Sequence, residues 1–431
     1  MQRKAVASGF YKRSSKLLPA KFFDVLLHSA SVNGTFSLDQ FSCEVSESHH
    51  VSISKQGLDN RFDETTVSFV KSIMEEQLSN QVGQSVDHRF LDKFSRVRIK
   101  DGTRFDLPQR LKDKLPGFGG KVTSDSAACI QYEFDLKNGR ITDIDITSAK
   151  KTDYQDAKEK TGDIEKGDLI IRDLGYFSSR VLWPIIEKEA FFISRLRTKM
   201  TVFDSSLKEV SFPKLYSKMV KNKLSGITMN VFIGEKEMIP VRLIIDIVPG
   251  EVYQKRVMKT EKENKKKGHK TSEEYKARAH FNLIITNIPE DDLPDGQVYL
   301  LYKTRWQVEL VFKVWKSTFG VNKIHPMNYN RLMCLLYAKL ILILINNQII
   351  NLMANKFYKM TKKLLSTMKC MKTLLIYFQK TRETLKLKTT AIPDLMQNVA
   401  RQLSANHWLE SKKKKIGFNE IFDVFCNISA I

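Results

Sequence analysis

The sequence predicts a mixed α/β sheet core flanked by helical segments, and three observations lead there. Between about residue 94 and residue 196, short apolar runs of strand length alternate with polar segments of helical character. The first run has a period of two: Val97, Ile99 and Asp101 fall on one strand face, because alternate side chains share a face. On either side of this region, helical spacing and capping residues replace the strand pattern.

Residues 1–92 read as helices. Phe22 to His28 is short and apolar. Ser37 caps a helix to about Cys43, Ser52 or Ser54 one through Leu58, and Asp63 a longer one through Leu78. In the last, Val67, Val70, Ile73 and Met74 recur at helical spacing. Such a segment suits a helix-turn-helix-like DNA reader or a plain helical cap. Residues 93–200 form the first part of the core. Its first strand breaks at Gly102, and Cys129–Leu136 and Ile141–Ile146 flank a hairpin signal, Asn138-Gly139. A polar, helical segment follows, then the strand Leu169 to Asp173. Ser178 or Ser179 caps a helix around Leu182 to Glu189, interrupted by Pro184, and Ala190 to Leu196 is a strand. Residues 201–281 read as a β-rich insertion with strands Ile227–Ile233 and Val241–Val248, ending in a basic stretch, Lys255 to Arg278. The core resumes over 282–325, with the strand Phe281 to Ile285 at its start and a helix from about Val298 to Ser317. Residues 326–431 are helical and basic.

The chain of 431 residues carries 71 Lys and Arg against 48 Asp and Glu, a net charge of +23. That excess points to a polyanion, nucleic acid first and an anionic membrane surface second. The charge is concentrated late. Residues 255–280 hold ten cations against four acids, residues 351–390 ten against Glu383 alone, and Lys412 to Lys415 add a further run. With 19 glycines, 11 prolines and 42% apolar residues, the chain is neither collagenous nor disordered. Five scattered cysteines (Cys43, Cys129, Cys334, Cys370, Cys426) without a C-x-x-C pair predict a reducing compartment. Met1 to Ala20 lacks the apolar core of a signal peptide. Leu332 to Ile350 is apolar enough to pass for a membrane span, but Lys339 interrupts it, so a buried helix is expected and no membrane partner. A cytoplasmic, nucleoid-associated protein is the corresponding expectation.

The helix before residue 317 carries the chemistry. At about 100° per residue, Tyr302, Arg305, Glu309, Lys313 and Lys316 fall on one face, with Val308, Val311, Val314 and Trp315 opposite. Alone, this is an amphipathic helix with a charged stripe. Asp101 and Asp173, each at the end of an apolar strand, change that reading, because a buried strand acid needs a partner or a metal. Two strand acids and one helix acid make an oxygen-rich set suited to Mg²⁺, and paired Mg²⁺ ions catalyse in-line displacement at phosphodiesters. Asp106, Asp135, Asp143 and Asp145 read as ordinary acids, the last two as solvent-exposed. His49-His50 reads as surface histidines rather than a metal site.

The spacing Tyr302, Arg305, Glu309, Lys316 resembles the Tyr-Arg-Glu-Lys pattern of DDE insertion-sequence transposases of the IS-four type. Asp173-Leu174-Gly175-Tyr176-Phe177 is similar to the second-aspartate motif of that family, and Asp101-Gly102-Thr103 to the first. The resemblance covers about residues 95–320. It implies an RNase H-like core interrupted by the insertion. It also implies that Asp101, Asp173 and Glu309 are catalytic and bind two Mg²⁺ ions, for which Mn²⁺ substitutes, and that Tyr302, Arg305, Lys316 and Lys313 contact DNA. The implied partners are transposon inverted-repeat ends and target DNA, met by a homodimer in a paired-end complex. Trp306 and Trp315 are expected to pack, with a stacking role for Trp306 left open. A base-stacking aromatic of the insertion would be a Phe or Tyr such as Tyr253. The other reading is a catalytically silent DNA-binding or regulatory protein derived from such an enzyme.

Overall fold

The computed structural model describes residues 1–32, 34–81, 91–120, 124–363, 365–386 and 392–408; Lys412 to Lys415 and Cys426 lie outside them. Five helices come first: α1 (Gln2–Ala7), α2 (Pro19–Ser31), α3 (Leu38–His49), α4 (Lys55–Asp59) and α5 (Glu64–Ser79). Ser37 closes a capping box with Gln40, and Ser54 and Asp63 accept from backbone N–H groups of the helices they start. Helix α3 runs to His49, six residues beyond the expected Cys43.

The sheet begins with β1 (Val97–Asp106), β2 (Ala127–Asp135) and β3 (Arg140–Ser148), paired antiparallel in that order. Gly102 does not end β1. It pairs with Gln131, and a side chain there would meet the Gln131 amide at 3.0 Å and the Cys129 sulfur at 3.2 Å, so glycine lets the strand continue. The β2–β3 turn is a four-residue loop in which Gly139 adopts φ +65° and the Asn138 side chain accepts from Arg140 N–H. Helix α6 (Asp153–Glu159) leads to β4 (Leu169–Arg172), then α7 (Ser179–Glu187) to β5 (Phe191–Arg195). Strands β1, β4 and β5 are parallel neighbours. The order β3-β2-β1-β4-β5 is RNase H-like.

Residues 201–281 contribute β6 (Val202–Phe203), α8 (Phe212–Lys221), β7 (Gly226–Ile233), β8 (Ile239–Ile247), α9 (Gly250–Lys266) and α10 (Glu273–Ala279), before β9 (Phe281–Thr286). These strands prolong the same sheet to nine, in the order β5-β9-β8-β7-β6. Next come α11 (Asp295–Thr304), α12 (Trp306–Ser317), α13 (Tyr329–Thr361), α14 (Thr367–Lys386) and α15 (Ile392–Asn406). The expected single helix over 298–317 is two, joined at Arg305.

One sheet face, with Val97, Ile99, Leu169, Ile171 and Ile193, shares a core with α12, α13 and the N-terminal helices. Helix α13 contains the apolar stretch flagged in the sequence, and 78% of its most apolar window is buried. The buried Lys339 ammonium donates to the Phe319 carbonyl at 2.6 Å and to Gly34 at 3.2 Å. Arg382 of α14 is clamped by Asp24 of α2 and Glu44 of α3, at 2.7 and 2.6 Å. His49 pairs with Asp24, and His50 ends α3 in the left-handed region.

The opposite face of the central strands carries a buried charge lattice. Arg98 and Lys100 alternate with the apolar residues of β1. The fully buried Glu133 of β2 accepts from Arg98 at 2.6 Å and from Arg172 of β4 at 2.9 Å. Lys100 lies 2.7 Å from Asp156 of α6 and donates to Asp143 of β3 at 3.0 Å, so Asp143 is a structural partner rather than a solvent-exposed acid. Burial alone would raise the Glu133 pKa; Arg172, Arg98 and Lys100 outweigh it and hold the carboxyl far below its usual range. Glu133→Gln leaves two buried guanidinium groups without their counter-charge. The urea midpoint should fall by the equivalent of about 3 kcal/mol with the slope unchanged; an unchanged midpoint would refute this role.

Candidate active site

The register of β1 and β4 builds the site. Ile99 pairs with Ile171 and Lys100 with Arg172, so Asp101 and Asp173 follow on neighbouring parallel strands, on the face that α12 covers. Asp101 lies within β1, and its Oδ1 accepts from its own neighbour, Gly102 N–H, at 2.8 Å. Asp173 opens the loop after β4. Tyr176 and Phe177 anchor that loop in a second buried cluster, with Ile170 and Phe192, and the Tyr176 hydroxyl donates to Gln131 at 2.6 Å. At Gly175 a Cβ would meet the Asp153 carboxylate oxygen at 2.8 Å, so a larger residue there would have to displace the Asp153 side chain. Arg197 donates to the Leu174 carbonyl and holds the loop from above.

Helix α12 supplies the third acid. Val308, Phe312, Val314 and Trp315 are buried against the sheet, and Trp315 meets Tyr132 edge-on at 5.1 Å. Glu309 is thereby turned to the open side, half exposed. Arg305, at the α11–α12 joint, reaches all three acids. Its guanidinium donates to Asp101 at 2.9 Å and to Glu309 at 3.1 Å, and its Nε lies 4.0 Å from Asp173. The carboxylates therefore surround a cation rather than one another, and among the described residues no group of three or more acids, histidines or cysteines is arranged to hold a metal ion. Burial would weaken the Arg305 charge; Asp173, Tyr302, Asp101 and Glu309 outweigh that and raise its pKa. Burial dominates at Asp101, pushing its pKa up to about 6 against the lowering effects of Gly102 N–H and Arg305.

The remaining expected residues divide. Burial raises the pKa of the Tyr302 hydroxyl, and the neighbouring Arg305 guanidinium opposes the rise through its charge and a hydrogen bond. Lys313 is exposed. Lys316 is tied to the scaffold, donating to the Arg104 carbonyl of β1 at 3.0 Å. Trp315 packs as expected, but Trp306 does not: it is 53% exposed. Tyr253 stacks on His280 at 3.7 Å, with Tyr216 on the other face of the imidazole. Asp106 is exposed; Asp135 is buried and accepts from Val97 N–H at 2.9 Å. Sequence reasoning passed over Asp153, which pairs with Arg104 at 2.6 Å and raises the Asp101 pKa. Its signal was the Thr152–Gln155 capping box, which fixes where α6 starts.

An RNase H-like sheet thus gathers two aspartates and a helix glutamate around one arginine, the order of acids seen in DDE transposases. The chain belongs to that family: the family model described as "Transposase DDE domain" matches residues 92–345. It is 31% identical to the transposase for insertion sequence element IS231F of Bacillus thuringiensis subsp. israelensis, over 80% of this chain and 77% of that one. It is 28% identical to the transposase for insertion sequence element IS1151 of Clostridium perfringens, over 96% and 91%. Among solved structures it is similar to a piggyBac transposase synaptic complex with hairpin DNA, at a TM-score of 0.47 and 10% identity, over 96% of this chain and 83% of that one.

The raised Asp101 pKa has a sign that can be checked. Its value in the unfolded chain is about 3.9, so the folded protein binds the proton more tightly and loses stability as pH rises from about 4 to about 6. Asp101→Asn lacks this titration. The thermal midpoint of the variant minus that of the wild type should grow across that window and level off above it. A difference that is flat or shrinks would contradict the assignment.

Proposed function

We propose that the chain is an active, metal-dependent transposase. In this reading it binds the inverted-repeat ends of its element, cleaves a phosphodiester at each, and joins the freed 3′ ends to target DNA. The observation that carries this is the convergence of Asp101, Asp173 and Glu309 on the Arg305 guanidinium. Three carboxylates facing one cation form a site built for positive charge, and an all-oxygen donor set suits a hard ion such as Mg²⁺, or Mn²⁺ in its place. Asp101, Asp173 and Glu309 would hold two such ions, which when bound activate the attacking oxygen and stabilise the leaving one.

The chain's own residues do the rest. Arg305 offers the scissile phosphate the charge it now shares among the acids. Tyr302, at the end of α11, places its hydroxyl beside Arg305, and Lys313 of α12 adds an exposed cation. Lys316, bound to the β1 carbonyl, fixes the far end of α12 and contacts a phosphate by exchanging that bond. In cleavage a water oxygen bonds to phosphorus as the P–O3′ bond breaks; in joining, the freed 3′ oxygen attacks a target phosphorus and displaces its 3′ oxygen. Residues 1–92 read the end sequence, and two copies pair two ends.

Nicking of a supercoiled plasmid that carries the end of the encoding element, with Mg²⁺, tests the reading. Wild type should nick; Glu309→Gln should lose nicking and joining while end binding is largely kept. A wild type that binds ends without nicking is the catalytically silent protein instead. A Glu309→Gln protein that nicks at near wild-type rate removes the assignment of Glu309.

A further inference from the structure

At its insertion end the nine-stranded sheet is left unfinished. Strand β7 pairs with β8 along its whole length, Gly226 to Ile233, with no bulge. On its other side, β6 covers only Phe232 and Ile233. Residues 226–231 therefore have no strand on that side among the described residues. The main chain shows which groups are left over. The Ser225 carbonyl accepts from Ile247 N–H of β8 at 2.8 Å, and Gly234 N–H donates to the Thr201 carbonyl beside β6 at 3.0 Å. Odd positions thus bond inward and even positions outward. Gly226, Thr228 and Asn230 hold their N–H and C=O groups toward the unpaired side.

Proteins defend such edges with lysine, proline or a bulge. This strand has none of them: its eight residues, Gly-Ile-Thr-Met-Asn-Val-Phe-Ile, include no charge and no proline, in a chain of net charge +23. Apolar side chains stand exposed around it. Leu224, 42% exposed, precedes the strand. Leu207, 61% exposed, tips the turn after β6, and Ser205 of that turn lies in one cleft with Asn230. The two ends of β7 differ in charge. Lys221 and Lys223 are exposed before it, and the turn after it, Glu235-Lys236-Glu237, is net acidic.

We infer that the free edge of β7 is an interface between two copies of this chain, paired antiparallel about a two-fold axis at Thr228. Outward residues must face outward residues, and Phe232 is already taken by β6. Thr228 then opposes the partner's Thr228, and Gly226 the partner's Asn230. Each such pair exchanges two N–H···O bonds. The same register carries Leu224 of each copy toward the partner's Leu207, and the basic end of each strand toward the partner's acidic turn. An isologous contact of this kind closes at two copies. Bringing two transposon ends together is a use of the pair that rests on the transposase reading; the contact itself stands on the edge alone.

The test is sedimentation velocity of the full chain without DNA, up to tens of micromolar protein, where the wild type should be a dimer. Asn230→Pro removes an outward N–H and no bond to β8. It should leave the thermal midpoint within a few degrees while weakening the dimer roughly tenfold or more. Leu224→Asp, which leaves the strand untouched and sets a negative charge toward the partner's acidic turn, should weaken it as well. Opposed residues of a bonded pair lie about 5.5 Å apart, Cα to Cα, which is within disulfide reach. Oxidised Thr228→Cys should therefore give a dimer linked from 228 to 228, mapped by peptide mass spectrometry against the wild type with its exposed Cys43. A wild type that sediments as a monomer, with no such link in the cysteine variant, overturns the inference and leaves the edge to a strand of another protein. A dimer that neither Asn230→Pro nor Leu224→Asp weakens has its contact elsewhere and overturns it too. The two claims separate: if the wild type nicks the plasmid and shows no contact at β7, only the edge inference fails. If it pairs through β7 and does not nick, the enzymatic reading fails and the contact stands.

Discussion

Two carboxylates on neighbouring parallel strands, in register and on one face, repel each other in a half-buried setting, and that constraint organises the molecule around them. Arg305 meets it on the open side, within 4.0 Å of Asp173 and in contact with Asp101 and Glu309. Helix α12 has to sit where it does for this to happen, and its apolar side, with Trp315 on Tyr132, fixes it there. The break between α11 and α12 falls on the arginine itself.

The same constraint reaches the other face of the sheet. Each aspartate follows a cation, Lys100 before Asp101 and Arg172 before Asp173, and strand alternation sends the two signs to opposite faces. The cations are then buried and need their own acids, which Glu133, Asp156 and Asp143 supply. Such a lattice adds little net stability, because desolvation opposes the attraction. What it contributes is register: sliding β1 by one residue would carry a lysine into the site and an aspartate into the lattice.

Much of this was legible in the sequence where the cause is local. The caps at Ser37, Ser54 and Asp63, the short apolar strands and the Tyr302–Lys316 spacing depend on neighbours a few residues away. The misreadings have distant causes. Gly102 reads as a breaker until Gln131 is seen to fill its space. Asp143 reads as exposed until Lys100 arrives from β1. The tie of Lys316 to Arg104 and the exposure of Trp306 likewise follow from strand order and helix placement, which the residue pattern does not state.

Lys339 has a consequence for the chain before it folds. Helix α13 leaves the ribosome as an apolar segment long enough to enter a bilayer. A lysine near the middle of such a segment adds about 3 kcal/mol to the cost of insertion. In the folded protein the same ammonium is satisfied by carbonyls of the α2–α3 connection and of the turn after α12. One side chain thus biases the segment toward water while the chain is being made, and closes the core once α2 and α12 have arrived.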